Sequence, residues 1–260
     1  MDRKPGILVI SHGSSENGWV ALVDETVNAA RAALPADTPV EAAFLELVGG
    51  RLIQDGIDRL EREGVTDLLA IPMFVSSGST HVDEIGWALG AYPEARTETD
   101  LEPFRVGAAL TYGRPIDDDP EFAEILLERL SGMSADPAAE CVLLVGHGSE
   151  WPGFHEAWRD GLTSLANAVR ERGGYAAAGI AMLRPDMAAE TVRSLREKRP
   201  DAAVLALPVF LSEGYFTKEV IPSRLEGLGC RYEGKTLMPH PLVAQWVQRQ
   251  AEAWLGRFRD

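Results

Sequence analysis

Two hydrophobic patterns alternate along this chain. Residues 7–10, 42–45, 68–74 and 106–110 are short continuous apolar runs, as parallel strands covered on both faces should be. Between them, Val20, Val23, Val27, Ala30 and Leu34 recur on one helical face, as do Leu52, Ile53, Ile57 and Leu60. Gly64 stands where the second of these helices should stop. Asp119-Pro120-Glu121 reads as a cap, a first-turn proline and a first-turn acid opening a helix through Leu130. The plan then repeats. Strands are expected near 142–145, 176–182, 204–210 and 236–238, and Phe154, Trp158, Leu162, Leu165 and Val169 mark a helix. Strands alternating with helices imply parallel sheets joined by right-handed crossovers.

The repetition extends to individual residues. Ile7-Leu8-Val9-Ile10-Ser11-His12-Gly13-Ser14 recurs 135 positions later as Val142-Leu143-Leu144-Val145-Gly146-His147-Gly148-Ser149. Ile71-Pro72-Met73-Phe74-Val75-Ser76-Ser77-Gly78 recurs 136 positions later as Leu207-Pro208-Val209-Phe210-Leu211-Ser212-Glu213-Gly214. Two matches in the same order and nearly the same register predict two homologous α/β domains, 1–134 and 135–260.

Ligands of open parallel sheets bind beyond the carboxyl ends of the strands. In the first half, His12 follows strand one, Glu46 follows strand two, and His81 lies a few residues past strand three. Two imidazoles and a carboxylate suit a divalent metal such as Fe, Co, Ni or Zn, and acid–base work near neutral pH. Each also has a plain structural role. His12 would hydrogen-bond a loop, Glu46 would point to solvent, and His81 would cap a helix. Their convergence at one sheet edge favours function. Ser76-Ser77-Gly78-Ser79-Thr80-His81 is small and hydroxyl-rich, which suits an acidic ligand at a helix start as well as an ordinary capped turn. Trp151, Trp158, Trp246 and Trp254 read as core residues, whereas Trp19 and Trp87 stand near the site edge, where they would line a flat apolar ligand.

Composition narrows the field. The 260 residues carry 25 Lys+Arg against 40 Asp+Glu, a net charge of −15, which disfavours nucleic acid and anionic membranes as partners. No apolar run reaches membrane-spanning length. Two distant cysteines, Cys141 and Cys230, cannot supply a four-thiolate site, and a reduced cytoplasmic protein is expected. Dinucleotide, Walker A and Gly-x-Ser-x-Gly signatures are all missing.

Ser11-His12-Gly13-Ser14, Phe44-Leu45-Glu46-Leu47 and the stretch from Pro72 to His81 together resemble the sirohydrochlorin chelatases. These are class II, ATP-independent enzymes that insert cobalt or iron into a reduced tetrapyrrole for cobalamin or siroheme. The organisation is similar to the long, duplicated form. The resemblance implies two flavodoxin-like domains, each a mainly four-stranded parallel sheet flanked by helices, with a cleft between the halves for the macrocycle. It implies His12 as proton acceptor and metal ligand, His81 as second metal ligand, and Glu46 as catalytic and substrate-contacting acid. Ser76, Ser77, Gly78, Ser79, Thr80 and His81 would form the substrate loop. The metal (Co²⁺, Fe²⁺ or Ni²⁺) would be a substrate, with no permanently bound cofactor. Since one chain supplies both domains, a monomer is expected, with a homodimer as the alternative. At an offset of 136, Glu46 faces Met182 and His81 faces Thr217, so the second half should be degenerate despite His147. Lys218, Arg184 and Arg224 near its strand ends would then offer charge to the macrocycle carboxylates, or simply be solvated. The alternatives are a non-catalytic carrier of metal or tetrapyrrole, and an ordinary flavodoxin-like or periplasmic-binding-type module with no metal affinity.

Overall fold

The computed structural model describes residues 3–15 and 17–258, and within them both halves fold to the same strand plan. In the first half β1 (Pro5–Ser11), β2 (Val40–Phe44), β3 (Asp67–Pro72) and β4 (Ala109–Tyr112) form a parallel sheet of order β2-β1-β3-β4. Helices α1 (Asn17–Ala33), α2 (Ile53–Arg62) and α3 (Thr80–Ala88) connect them, and α4 (Pro120–Ser131) follows. In the second half β5 (Glu140–Gly148), β6 (Ala177–Arg184), β7 (Ala203–Pro208) and β8 (Cys230–Tyr232) take the matching order β6-β5-β7-β8. Helices α5 (Phe154–Gly173), α6 (Ala188–Lys198) and α7 (Ile221–Leu225) connect these, and α8 (Pro241–Leu255) follows. The expected equivalence of β1 and β5 as interior parallel strands holds.

The continuous apolar runs become fully buried strands. Ile7, Leu8, Val9 and Ile10 are solvent-free in β1, and Val142, Leu143 and Leu144 are so in β5. On one face of the first sheet Leu8, Ile10 and Ala43 pack against Ile53, Ile57 and Leu60 of α2 and Val82 and Ile85 of α3. Each such fully buried aliphatic side chain contributes about 1.5–3 kcal/mol. Asp119 caps α4 as predicted, its carboxylate accepting from the Glu121 N–H at 3.1 Å.

Two strand expectations are corrected. The last strand of the first sheet is Ala109–Tyr112 rather than 106–110. The N–H groups of Gly107 and Ala108 are taken by the Glu61 carboxylate, so pairing with β3 begins only at Ala109 opposite Asp67. The last strand of the second sheet is Cys230–Tyr232, pairing with Val204–Ala206, rather than 236–238. Leu237 and Met238 are apolar because they are buried. Their N–H groups bond Phe210 O and Leu211 O, beyond the end of β7, as an irregular segment.

Compact units also differ from the sequence halves. One unit comprises the chain up to Phe74, Thr80–Pro115 and the chain from Pro241 on. The other comprises Val75–Ser79 and Ile116–His240. In the first unit α8 packs on α1 and the β1 and β3 strands, while in the second α4 packs on α5 and β7. The repeat is untouched, but each sheet is closed by the other half's last helix. Of the tryptophans expected in the core, Trp158, Trp246 and Trp254 are buried, but Trp151 is 61% exposed on the loop after β5.

Candidate metal and proton-transfer site

Ser11 ends β1 opposite Phe44 of β2, so the next residues of both strands leave the sheet together. The backbones stay joined past the sheet edge, with Leu45 N–H bonded to Ser11 O and Glu46 N–H to His12 O. Gly13 makes this closeness possible. It has φ +103°, and a Cβ there would lie 2.0 Å from the Glu46 carbonyl oxygen. The His-Gly pair therefore sets His12 beside Glu46. Gly13→Ala should destabilise the chain by roughly 2–4 kcal/mol, from backbone strain plus the clash. Urea unfolding checks this; a midpoint equal to wild type would show that the strand ends separate easily.

His81 arrives from the third strand as the second residue of α3. Its ring meets that of His12 edge-on, with centroids 4.8 Å apart and planes at 75°. His12 Nδ1 lies 3.1 Å from Gly13 O and 3.7 Å from Glu46 Oε1. A carbonyl oxygen only accepts, so the shorter contact requires the proton on Nδ1 and leaves Nε2 with its lone pair. His81 Nδ1 donates at 2.6 Å to Glu84 Oε1, which likewise leaves His81 Nε2 basic. The three sequence-assigned residues thus converge within one compact unit. Both rings and Glu46 remain partly open to solvent.

Glu84 is a further member of this site that the strand-end pattern does not reveal. The signal was there: a carboxylate three residues after a histidine shares its helix face. Glu84 Oε2 also accepts from Thr99 Oγ1 at 2.6 Å. Burial pushes its carboxyl up, but the hydrogen bonds from His81 and Thr99 and the nearness of His81 and His12 outweigh this and hold its pKa below the ordinary range. It is an ionised acceptor at neutral pH.

Residues 89–108, between α3 and β4, hold this helix start in place. The Asp83 carboxylate accepts from Arg96 N and Nε at 2.7 and 2.8 Å, the Tyr92 hydroxyl donates to Asp83 O at 2.5 Å, and from β4 the Tyr112 hydroxyl donates to Val82 O at 2.8 Å. A cleft of about 780 Å³ opens beside the pair, lined by Leu45, Glu46, His81, Glu84 and residues 98–101. Trp19 and Trp87, expected near the site edge, are half-buried and do not line this cleft. Among the described residues no group of three or more His, Cys, Asp or Glu side chains is arranged to hold a metal. The site offers two imidazoles with a carboxylate near one of them.

Ser76, Ser77, Gly78 and Ser79 belong to the other compact unit, and the N–H groups of Ser77, Gly78 and Ser79 are already spent. Ser77 N–H donates to Asp117 Oδ1 at 2.7 Å, Gly78 N–H to Ser76 Oγ at 3.0 Å, and Ser79 N–H to Ser76 O at 3.0 Å. Ser76 is buried; Ser77, Ser79 and Thr80 keep partly exposed side chains. With these three N–H groups occupied, the partly exposed hydroxyls are what remains for a ligand.

The second-half equivalences are also corrected. Gly146 pairs with Met182 as Ser11 pairs with Phe44, so the Glu46 position is filled by Arg184 rather than Met182. The sheet register thus sets this position two residues beyond the one that a constant offset of 136 gives. The ring edge-on to His147 is that of Phe216, with centroids 4.9 Å apart at 82°. Thr217 is instead buried, with its hydroxyl bonded to Gly214.

Comparison with known proteins agrees with this duplication. A family model described as CbiX matches residues 6–133 and again 141–253. A sirohydrochlorin cobaltochelatase of Methanopyrus kandleri is 28% identical over 102 residues, 35% of this chain and 71% of that protein. One of Methanococcoides burtonii is 29% identical over 129 residues, 50% of this chain and 96% of that protein. The solved structure of SirB from Bacillus subtilis with Fe³⁺ superposes with a TM-score of 0.73 at 21% identity, covering 98% of both chains, and so shares the fold. No helix among the described residues is long and apolar enough to cross a membrane.

Proposed function

The chain belongs to the CbiX family, and from that membership we propose that it inserts a divalent metal, Co²⁺ or Fe²⁺, into sirohydrochlorin without ATP, for cobalamin or siroheme. The observation that carries this reading is the His12–His81 pair, two rings in contact whose Nδ1 protons are both engaged. Both Nε2 atoms are then the free donors that a borderline divalent ion prefers.

The metal is a substrate here. It arrives on His12 and His81, and two imidazoles leave the rest of its coordination shell open to exchange with pyrrole nitrogens. Insertion of a divalent ion releases two pyrrole N–H protons. His12 becomes free to accept one as the metal departs, and Glu46, 3.7 Å from His12, takes up or passes on a proton toward solvent. The enzyme contributes proximity, ligand exchange and proton acceptance. We also propose that the hydroxyl of Thr80, next to His81 in the same compact unit, contacts the substrate.

Glu84 acts through His81, fixing its tautomer and ring direction. Outer partners of metal-bound histidines are typically worth about 10–100-fold in affinity. Glu84→Ala should weaken Co²⁺ binding by that amount in a calorimetric titration, and Glu84→Gln, which keeps an acceptor, by less. Unchanged affinity in Glu84→Ala would remove Glu84 from the site.

The activity itself is tested by mixing the purified chain with sirohydrochlorin and Co²⁺ or Fe²⁺, without nucleotide, and following absorbance. Insertion faster than in the protein-free mixture is expected. Protein-free rates with every divalent metal would contradict the reading.

A further inference from the structure

The second half rebuilds the first half's sheet edge with the opposite charge. A Cβ on Gly148, at φ +77°, would lie 2.5 Å from Arg184 O, as one on Gly13 would crowd Glu46 O. His147 Nδ1 lies 2.9 Å from Gly148 O, repeating the contact of His12 with Gly13. His147, Arg184 and Phe216 therefore occupy the places of His12, Glu46 and His81. Phenylalanine for the second histidine removes a nitrogen donor. Arginine for the carboxylate places a fixed positive charge where a cation would otherwise be drawn. The site has lost what holds a metal and gained what holds an anion.

Three basic residues stand at this edge, and the structure separates them. Lys218 is paired with Glu213 at 3.3 Å, and Arg224 with Asp186 at 3.3 Å. The exposed Arg184 side chain has no hydrogen-bond or ion-pair partner among the described residues. Large apolar side chains are exposed on the adjoining loops: Trp151 at 61% after β5 and Tyr215 at 70% after β7. Exposed aromatic rings and an unpaired guanidinium following strands of the same sheet edge suit a ligand that is flat and carries carboxylates.

We propose that the carboxyl edge of the β6-β5-β7-β8 sheet is a binding site for such a ligand, with Arg184 pairing a carboxylate and Trp151 and Tyr215 offering ring faces. Resting on the function proposed above, the ligand is the carboxylate-bearing tetrapyrrole. The second half thus binds substrate through a converted metal site.

The experiment measures the affinity of metal-free sirohydrochlorin for the full chain by fluorescence quenching, in wild type and in Arg184→Ala, Arg184→Glu and Arg184→Lys. Loss of a charged hydrogen-bonded pair predicts about tenfold weaker binding in Arg184→Ala. Arg184→Glu should be weaker still, and Arg184→Lys should recover part of the loss. Co²⁺ affinity, measured on the same proteins, should not move. Wild-type affinity in Arg184→Glu would overturn the site, and so would failure of the wild-type chain to bind the macrocycle. If the wild type binds sirohydrochlorin in an Arg184-dependent way but inserts no metal, this site stands and the chelatase reading fails. If insertion proceeds and Arg184 is indifferent, the reverse holds.

Discussion

Replacing Glu46 with glutamine is expected to slow metal insertion by about 10²–10⁴-fold, the usual worth of general-base help. The change keeps the shape and hydrogen-bonding capacity of the side chain and removes its charge and basicity. The fold should be untouched, because what fixes this strand end is the Glu46 backbone, bonded to His12 O and packed on Gly13. Glu46 stands 3.7 Å from His12, so Co²⁺ affinity should fall much less than the rate. Stopped-flow absorbance at saturating macrocycle and metal makes the comparison. Equal rates under conditions where chemistry limits turnover would leave His12 as the sole proton acceptor.

Removing an imidazole should have a different signature. His12→Ala or His81→Ala takes away one of only two strong donors. Co²⁺ affinity should fall by more than about 100-fold, exceeding the effect of an outer partner. Insertion should drop toward the protein-free rate. His147→Ala should leave metal binding intact, since the ring facing His147 is Phe216 and offers no nitrogen. Loss of metal binding in His147→Ala, with His12→Ala unaffected, would move the site to the other half.

Much of this was legible in the sequence because it depends on burial and on strand ends. Continuous apolar runs gave seven of the eight strands, most within a few residues, since parallel strands buried on both faces leave little room for polar residues. His12, Glu46 and His81 could be placed together because a parallel sheet delivers the residue after each strand to the same edge. What was not legible depends on pairing and insertions. Residues 236–238 look like a strand because Leu237 and Met238 are buried, and apolarity does not distinguish a ladder from a packed loop. Cys230–Tyr232 carries one arginine and little apolar run, so it gave no signal. A constant offset paired Glu46 with Met182. The true partner is Arg184, two residues further on, which only the β5–β6 register reveals. Glu84 needed the knowledge that α3 begins at Thr80 and places His81 and Glu84 one turn apart.

A single-turnover transfer tests most directly whether the His12–His81 pair carries the metal that is inserted. The chain is loaded with one equivalent of Co²⁺, freed of unbound metal, and mixed with sirohydrochlorin. The account predicts that the bound cobalt appears in the macrocycle within one turnover in wild type and in His147→Ala, but not in His81→Ala. Cobalt that stays on the wild-type protein, or that transfers equally well from His81→Ala, would contradict it.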